Sequence, residues 1–88
     1  MRIWFQLWKD AHLLKDTTVE NYENDTRTHK IMNAMDQACY EFDLSRPIWL
    51  DKNVEEFKRH AQARFYEDSF VDEISFDYLR IQVLEEDW

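Results

Sequence analysis

Glycine is absent from this chain of 88 residues, where ordinary usage of about 7% predicts about six. Phosphate-cradling loops, dinucleotide fingerprints, nucleophile elbows and the usual calcium loop all need glycine, because their backbones turn with positive φ or approach a ligand closely. Those chemistries are therefore excluded. Left-handed positions are expected on Asn or Asp instead, with Asp10, Asn21, Asn24 and Asp68 as candidates. Cysteine occurs once, at Cys39, which rules out an internal disulfide framework and suits a reducing compartment. Proline also occurs once, at Pro47, and no low-complexity linker or repeat marks a second domain. No apolar run approaches the roughly 18–20 residues of a membrane-crossing helix. The opening Met1-Arg2-Ile3-Trp4-Phe5 lacks a full signal-peptide core. The expectation is one domain over residues 1–88, cytoplasmic, with no membrane association.

Apolar and aromatic residues are present in strength. Leu, Ile, Val and Phe make up a quarter of the chain, and aromatics 16%. That is enough to bury a core, with the thin stability margin of a small domain. The charge is unevenly spread. The net formal charge is −8, and residues 1–66 are nearly neutral. Residues 67–88 hold eight acids against Arg80 alone, so the acidic C-terminal third carries most of the imbalance. A lopsided field restricts which partners can approach.

Periodicity gives the elements. Residues 2–8 alternate, with Ile3, Phe5 and Leu7 on one face and Trp4, Gln6 and Trp8 on the other. A turn at 9–12 and a weaker strand from Leu13 to Tyr22 complete a hairpin. Ile31, Ala34, Met35, Ala38, Cys39 and Phe42 form one helical stripe, capped by Asn24 or Asp25. Ile48-Trp49-Leu50 reads as a short edge strand after Pro47. Asn53 with Glu56 resembles a capping box opening a second helix to about Tyr66, with Val54, Phe57, Ala61 and Phe65 inward and Lys58, Arg59 and Arg64 on its polar side. Phe76 to Leu84 is a strand, with Leu79, Ile81 and Val83 sharing a face. The expected fold class is α+β: a small antiparallel sheet in β-β-α-β-α-β order, its third strand short or absent, with two helices packed on one face. The first and last strands, matched in character, are expected to be neighbours.

Chemistry-bearing residues are sparse and scattered. His12, His29, Cys39 and His60 lack the i, i+3 or i+4 spacing of a dedicated zinc site. Cys39 falls in the apolar stripe and reads as core; His29 and His60 read as surface residues. Glu85, Glu86 and Asp87 lie consecutively on an extended segment, where neighbours alternate faces and do not converge. Ser45, Ser69 and Ser75 have no His nearby in sequence. The expectation is a protein that is not an enzyme and has no cofactor and no metal.

Two surfaces stand out. If Ile3, Phe5 and Leu7 meet the helices, then Trp4, Trp8, Tyr78 and Arg80 face away, with Gln6 and Gln82 among them. Trp, Tyr and Arg are enriched at binding hot spots. This face is expected to contact a protein partner, with a second copy of the chain among the candidates. Two other readings are cover by the chain's own Trp88 or 67–75 segment, and stacking of nucleotide bases. The net charge weighs against direct nucleic-acid binding. The second surface is acidic, formed by Asp72, Glu73, Asp77, Glu85, Glu86 and Asp87. In size and charge the chain resembles small acidic inhibitors such as anti-CRISPR proteins and DNA mimics, which implies blockade of a basic groove in a nucleic-acid-binding protein.

The phrases Asp25-Thr26-Arg27-Thr28-His29-Lys30, Pro47-Ile48-Trp49-Leu50-Asp51, Glu56-Phe57-Lys58-Arg59-His60 and Phe76-Asp77-Tyr78-Leu79-Arg80-Ile81-Gln82-Val83 resemble a group of short acidic proteins of clostridia-like Firmicutes bacteria. The similarity spans nearly the whole chain. No activity is assigned to that group, so the resemblance implies a bacterial, cytoplasmic origin and no residue roles.

Overall fold

Period-two alternation puts residues 2–9 into a strand, and the hairpin that follows is closed by two left-handed residues. In the computed structural model, which describes residues 1–87, β1 (Arg2–Lys9) turns through Asp10 (φ 51°) and Ala11 (φ 64°) into β2 (His12–Glu20). Positive φ at both central residues suits the right-handed twist of the flanking strands. The other left-handed residues are Asp43 (φ 58°) and Ala61 (φ 53°), each just beyond a helix. Of the four expected left-handed sites only Asp10 is one; Asn21, Asn24 and Asp68 are not. Turn geometry and helix termination decide these positions, and alanine tolerates them where glycine is lacking, at about 1–2 kcal/mol.

Helix α1 (Arg27–Phe42) buries the whole expected stripe from Ile31 to Phe42. Its N-cap is Thr26, not Asn24 or Asp25: the Thr26 hydroxyl accepts from the His29 backbone N–H at 3.2 Å. Asp25 instead accepts from the Thr26 N–H at 2.7 Å and pairs with the exposed His29 ring at 3.0 Å. The helix ends in a Schellman arrangement, with Asp43 N–H to Tyr40 C=O (3.2 Å) and Leu44 N–H to Cys39 C=O (2.8 Å).

The second half departs from expectation. The order is β-β-α-α-β-β. Helix α2 (Asp51–His60) stops well short of Tyr66, and β3 (Gln62–Phe65) follows it, then a 3-10 turn (Glu67–Ser69) and β4 (Tyr78–Glu85). Lys58, Arg59 and His60 occupy its last turn, where cations suit the helix dipole, and Ala61 closes it. Residues 62–65 then alternate, burying Ala63 and Phe65. Ile48-Trp49-Leu50 is not a strand; Ile48 N–H bonds Ser69 C=O at 2.7 Å, and Leu50 is the N-cap of α2. Asn53 lies three residues inside that helix and is 1% exposed. Its carbonyl oxygen accepts from Leu50 N–H (3.0 Å) and from the Ser69 hydroxyl (3.2 Å), and its amide donates to Arg64 C=O (2.8 Å). One buried side chain thus ties the helix start to the sheet edge.

The sheet is four-stranded and antiparallel, in order β2-β1-β4-β3, giving an α+β fold. The first and last strands are neighbours, with Phe5 opposite Ile81 and Leu7 opposite Leu79. Ile3, Phe5, Leu7, Ala63, Phe65, Leu79 and Ile81 share one hydrophobic cluster with α1's stripe and Phe57 of α2. Both helices therefore cover the same face. Among the described residues no helix is long and apolar enough to cross a membrane.

Candidate functional site

Strand pairing fixes what stands on the other face. Opposite β1's Trp4, Gln6 and Trp8 lie Gln82, Arg80 and Tyr78 of β4. Opposite Gln82 and Arg80 lie Gln62 and Arg64 of β3. Trp4, Trp8, Tyr78, Arg80 and Gln82 are half-buried, and Arg64 and Tyr66 are exposed. The four residues expected to make contact are thus brought onto one surface. Phe70 and Ile74 of the 67–75 segment pack against the core. Trp88, the other expected cover, lies outside the described residues.

The face is locally ordered. The Trp8 ring stacks on Tyr78 with centroids 6.4 Å apart, and Tyr78 touches Tyr66 at 5.4 Å. Trp8 Nε1 donates to Gln6 Oε1 at 2.8 Å, and Trp4 Nε1 to Asp16 at 2.9 Å. Cations sit over two of the rings: Arg64 is 5.4 Å from the Tyr78 centroid and Lys52 5.8 Å from that of Tyr66. Gln6 corrects the expectation of an outward-facing residue in water. It lies on this face yet is 0% exposed, and among the described residues its Nε2 has no hydrogen-bond partner. The covered Nε of Arg80 likewise has none.

The expected second helix, running to about Tyr66, takes in Arg64 and so conceals its place on the sheet face. The signal that could have found it is the basic last turn at 58–60 followed by polar-apolar alternation from Gln62 to Phe65. Arg64 is therefore not part of α2's polar side.

The acidic residues do not form a free stripe. Asp72 accepts from the Ser45 hydroxyl (2.7 Å), and Asp77 from Asp10 N–H (2.8 Å). Glu86 holds Arg27 bidentately (2.7 and 3.0 Å), which raises the arginine's proton affinity. Asp87 takes the buried Lys30 ammonium (2.5 Å) and the Met1 amine (2.7 Å). These two bonds, Lys30's first, hold the Asp87 carboxyl below the usual carboxylate range. Asp25 is lowered too, chiefly by the Thr26 N–H and then by His29. Glu73 and Glu85 are exposed.

Groups associated with catalysis stay apart. Among the described residues no three His, Cys, Asp or Glu gather where a metal ion could sit. His12, His29 and His60 are exposed on separate elements. Cys39 is 2% exposed, and burial pushes its thiol up to about 11, far from the thiolate a nucleophile needs. Several concavities accompany the helices and loops. An open one of about 750 Å³ is lined by Tyr66, Phe70, Val71 and four acids, and one of about 230 Å³ lies between α1 and α2 beside Trp49 and Phe57. Compared with known proteins, the chain matches no family model, no curated protein and no solved structure.

Proposed function

We propose that this chain is a non-enzymatic protein–protein interaction module and that its contact surface is the helix-free face of the sheet. The observation that carries the reading is the composition of that face. Trp4, Trp8, Tyr78 and Arg80 stand together with Tyr66 and Arg64, on a sheet whose helices both lie on the other side. Large rings held rigidly by strand pairing lose little conformational entropy on contact, and Trp, Tyr and Arg carry most of the energy at many interfaces. A second copy of the chain is one candidate partner.

The acidic-inhibitor reading draws less support. A mimic of a phosphate backbone needs free carboxylates in a row, and four of its six acids are engaged within the chain.

The test compares wild type with the Trp4→Ala/Trp8→Ala double variant by light scattering on a sizing column and by affinity capture from native lysate. The expected outcome is a changed association state or a lost partner, with the far-UV spectrum retained. Identical sizing and capture profiles for the two proteins would remove the reading.

A further inference from the structure

We infer that Arg64 and Arg80 together form an anion seat that receives a carboxylate from an acidic segment of the protein partner; this rests on the proposed function above and names its chemistry. The two arginines are direct cross-strand partners on β3 and β4. Like charges placed opposite one another destabilise a sheet, and this chain had acids in surplus, nineteen against eleven bases, with which to neutralise them. Of the other arginines, Arg2, Arg27 and Arg46 pair with Glu20, Glu86 and Asp36, and Arg59, exposed on α2, stands without a like charge opposite it on a neighbouring strand. Among the described residues neither Arg64 nor Arg80 has a carboxylate in ion-pair range. Arg64's contact with the Tyr78 ring and Arg80's bond to Gln62 leave both charges unneutralised, and a local rule broken in this way marks a place where something other than folding sets the residues.

The row across the sheet is rich in donors. Gln6, Arg80 and Arg64 lie side by side on β1, β4 and β3. Gln6 Nε2 and Arg80 Nε are covered and, among the described residues, unpartnered, so the side chains that can meet an incoming carboxylate are the exposed Arg64 and the half-buried Arg80, and a guanidinium has no acceptor capacity with which to satisfy its neighbour. Arg80's one bond goes to the Gln62 side-chain oxygen. The acid nearest along the row is Asp16 on β2, opposite Gln6 and occupied by the Trp4 indole. It stands two strands from Arg80, about 10 Å away. The acids at Glu85 and beyond lie five or more residues along β4, about 16 Å; in the other direction Asp77, three residues or about 10 Å away, is taken up by Asp10 N–H, and Glu67, Asp68, Asp72 and Glu73 line the concavity on the far side of Tyr66. Screening over roughly 8 Å at physiological ionic strength weakens their repulsion of an incoming carboxylate. Trp4 on one side of the row, and Trp8, Tyr78 and Tyr66 on the other, offer apolar contact to the residues flanking that carboxylate.

A protein carboxylate fits better than a nucleic-acid strand. A strand brings a phosphate at every nucleotide and needs a run of cations. Beyond this arginine pair the strands place Arg2 on this face, already paired with Glu20 at 3.5 Å.

The test is selection of random linear peptides displayed on phage against the intact chain. The expected result is enrichment of peptides with Asp or Glu flanked by apolar residues. A selected synthetic peptide should bind about tenfold or more weakly to Arg64→Gln/Arg80→Gln, and equally so when its own acid is replaced by the amide. Arg64→Gln alone, at an exposed position, serves if the double variant fails to fold. Acid-free peptides that bind wild type and lose Trp4→Ala/Trp8→Ala would overturn the anion seat while leaving the contact face standing. Peptides indifferent to all these variants, or no selection at all, would overturn it too. So would a short oligothymidylate that displaces the peptide through the same arginines at lower concentration.

Discussion

The two faces of this sheet are built from the same strands, residue by alternate residue, and they share almost nothing. On the helix side Ile3, Phe5, Leu7, Ala63, Phe65, Leu79 and Ile81 are all buried, and the cluster holds no charge. On the other side Trp4, Trp8, Tyr78 and Arg80 are half-buried, Arg64 is exposed, and among the described residues the covered nitrogens Arg2 Nε, Gln6 Nε2 and Arg80 Nε lack hydrogen-bond partners. One face is closed by packing. The other carries half-buried rings and arginines, and the proposed contact rests on them.

Substitutions on the two sides should separate stability from association. Phe5→Ala, at a fully buried central-strand position, should cost about 3–5 kcal/mol and unfold most of a small domain; urea titration followed by far-UV signal checks it. Asn53→Ala strips partners from Leu50 N–H, the Ser69 hydroxyl and Arg64 C=O, and should cost about 2–4 kcal/mol by the same titration. Near-native stability there would mean that the sheet edge is held some other way. Ala11→Gly relieves a left-handed alanine at the hairpin turn and should raise stability by up to about 1 kcal/mol. The smallest effect is pH-dependent. Asp87 and Asp25 have folded pKa values below their unfolded ones, so their contribution is present above the usual carboxylate range and is lost as pH falls through the lowered folded values. Asp87→Asn should flatten the acid limb of the thermal midpoint against pH; an unchanged limb would show that the pairing with Lys30 contributes nothing.

What could be read from sequence divides along the same lines. The first strand, the first helix and the last strand have long, unbroken periodicity, so their faces and even their neighbour relation were legible. The third strand was not. It has four residues, directly follows a helix, and its Ala, Arg and Gln suit a helix well, so the helical stripe ran on through Phe65. That error concealed Arg64 and with it the arginine pair. Capping was misread because Asn24, Asp25 and Thr26 are all good N-caps, and hydrogen bonding at Thr26 decided among them. Gln6 is buried on the outward side and accepts from the Trp8 indole, a contact that no alternation pattern records.

Hydroxyl-radical footprinting read by mass spectrometry compares the two faces most directly. In the dilute chain Trp4, Trp8 and Tyr78 should oxidise readily while Phe5 and Phe65 stay unmodified. In the associated state, with its partner or at concentrations where copies assemble, the three rings should become protected. Rings already protected in the isolated monomer, or modified equally before and after association, would contradict the assignment of this face to protein contact.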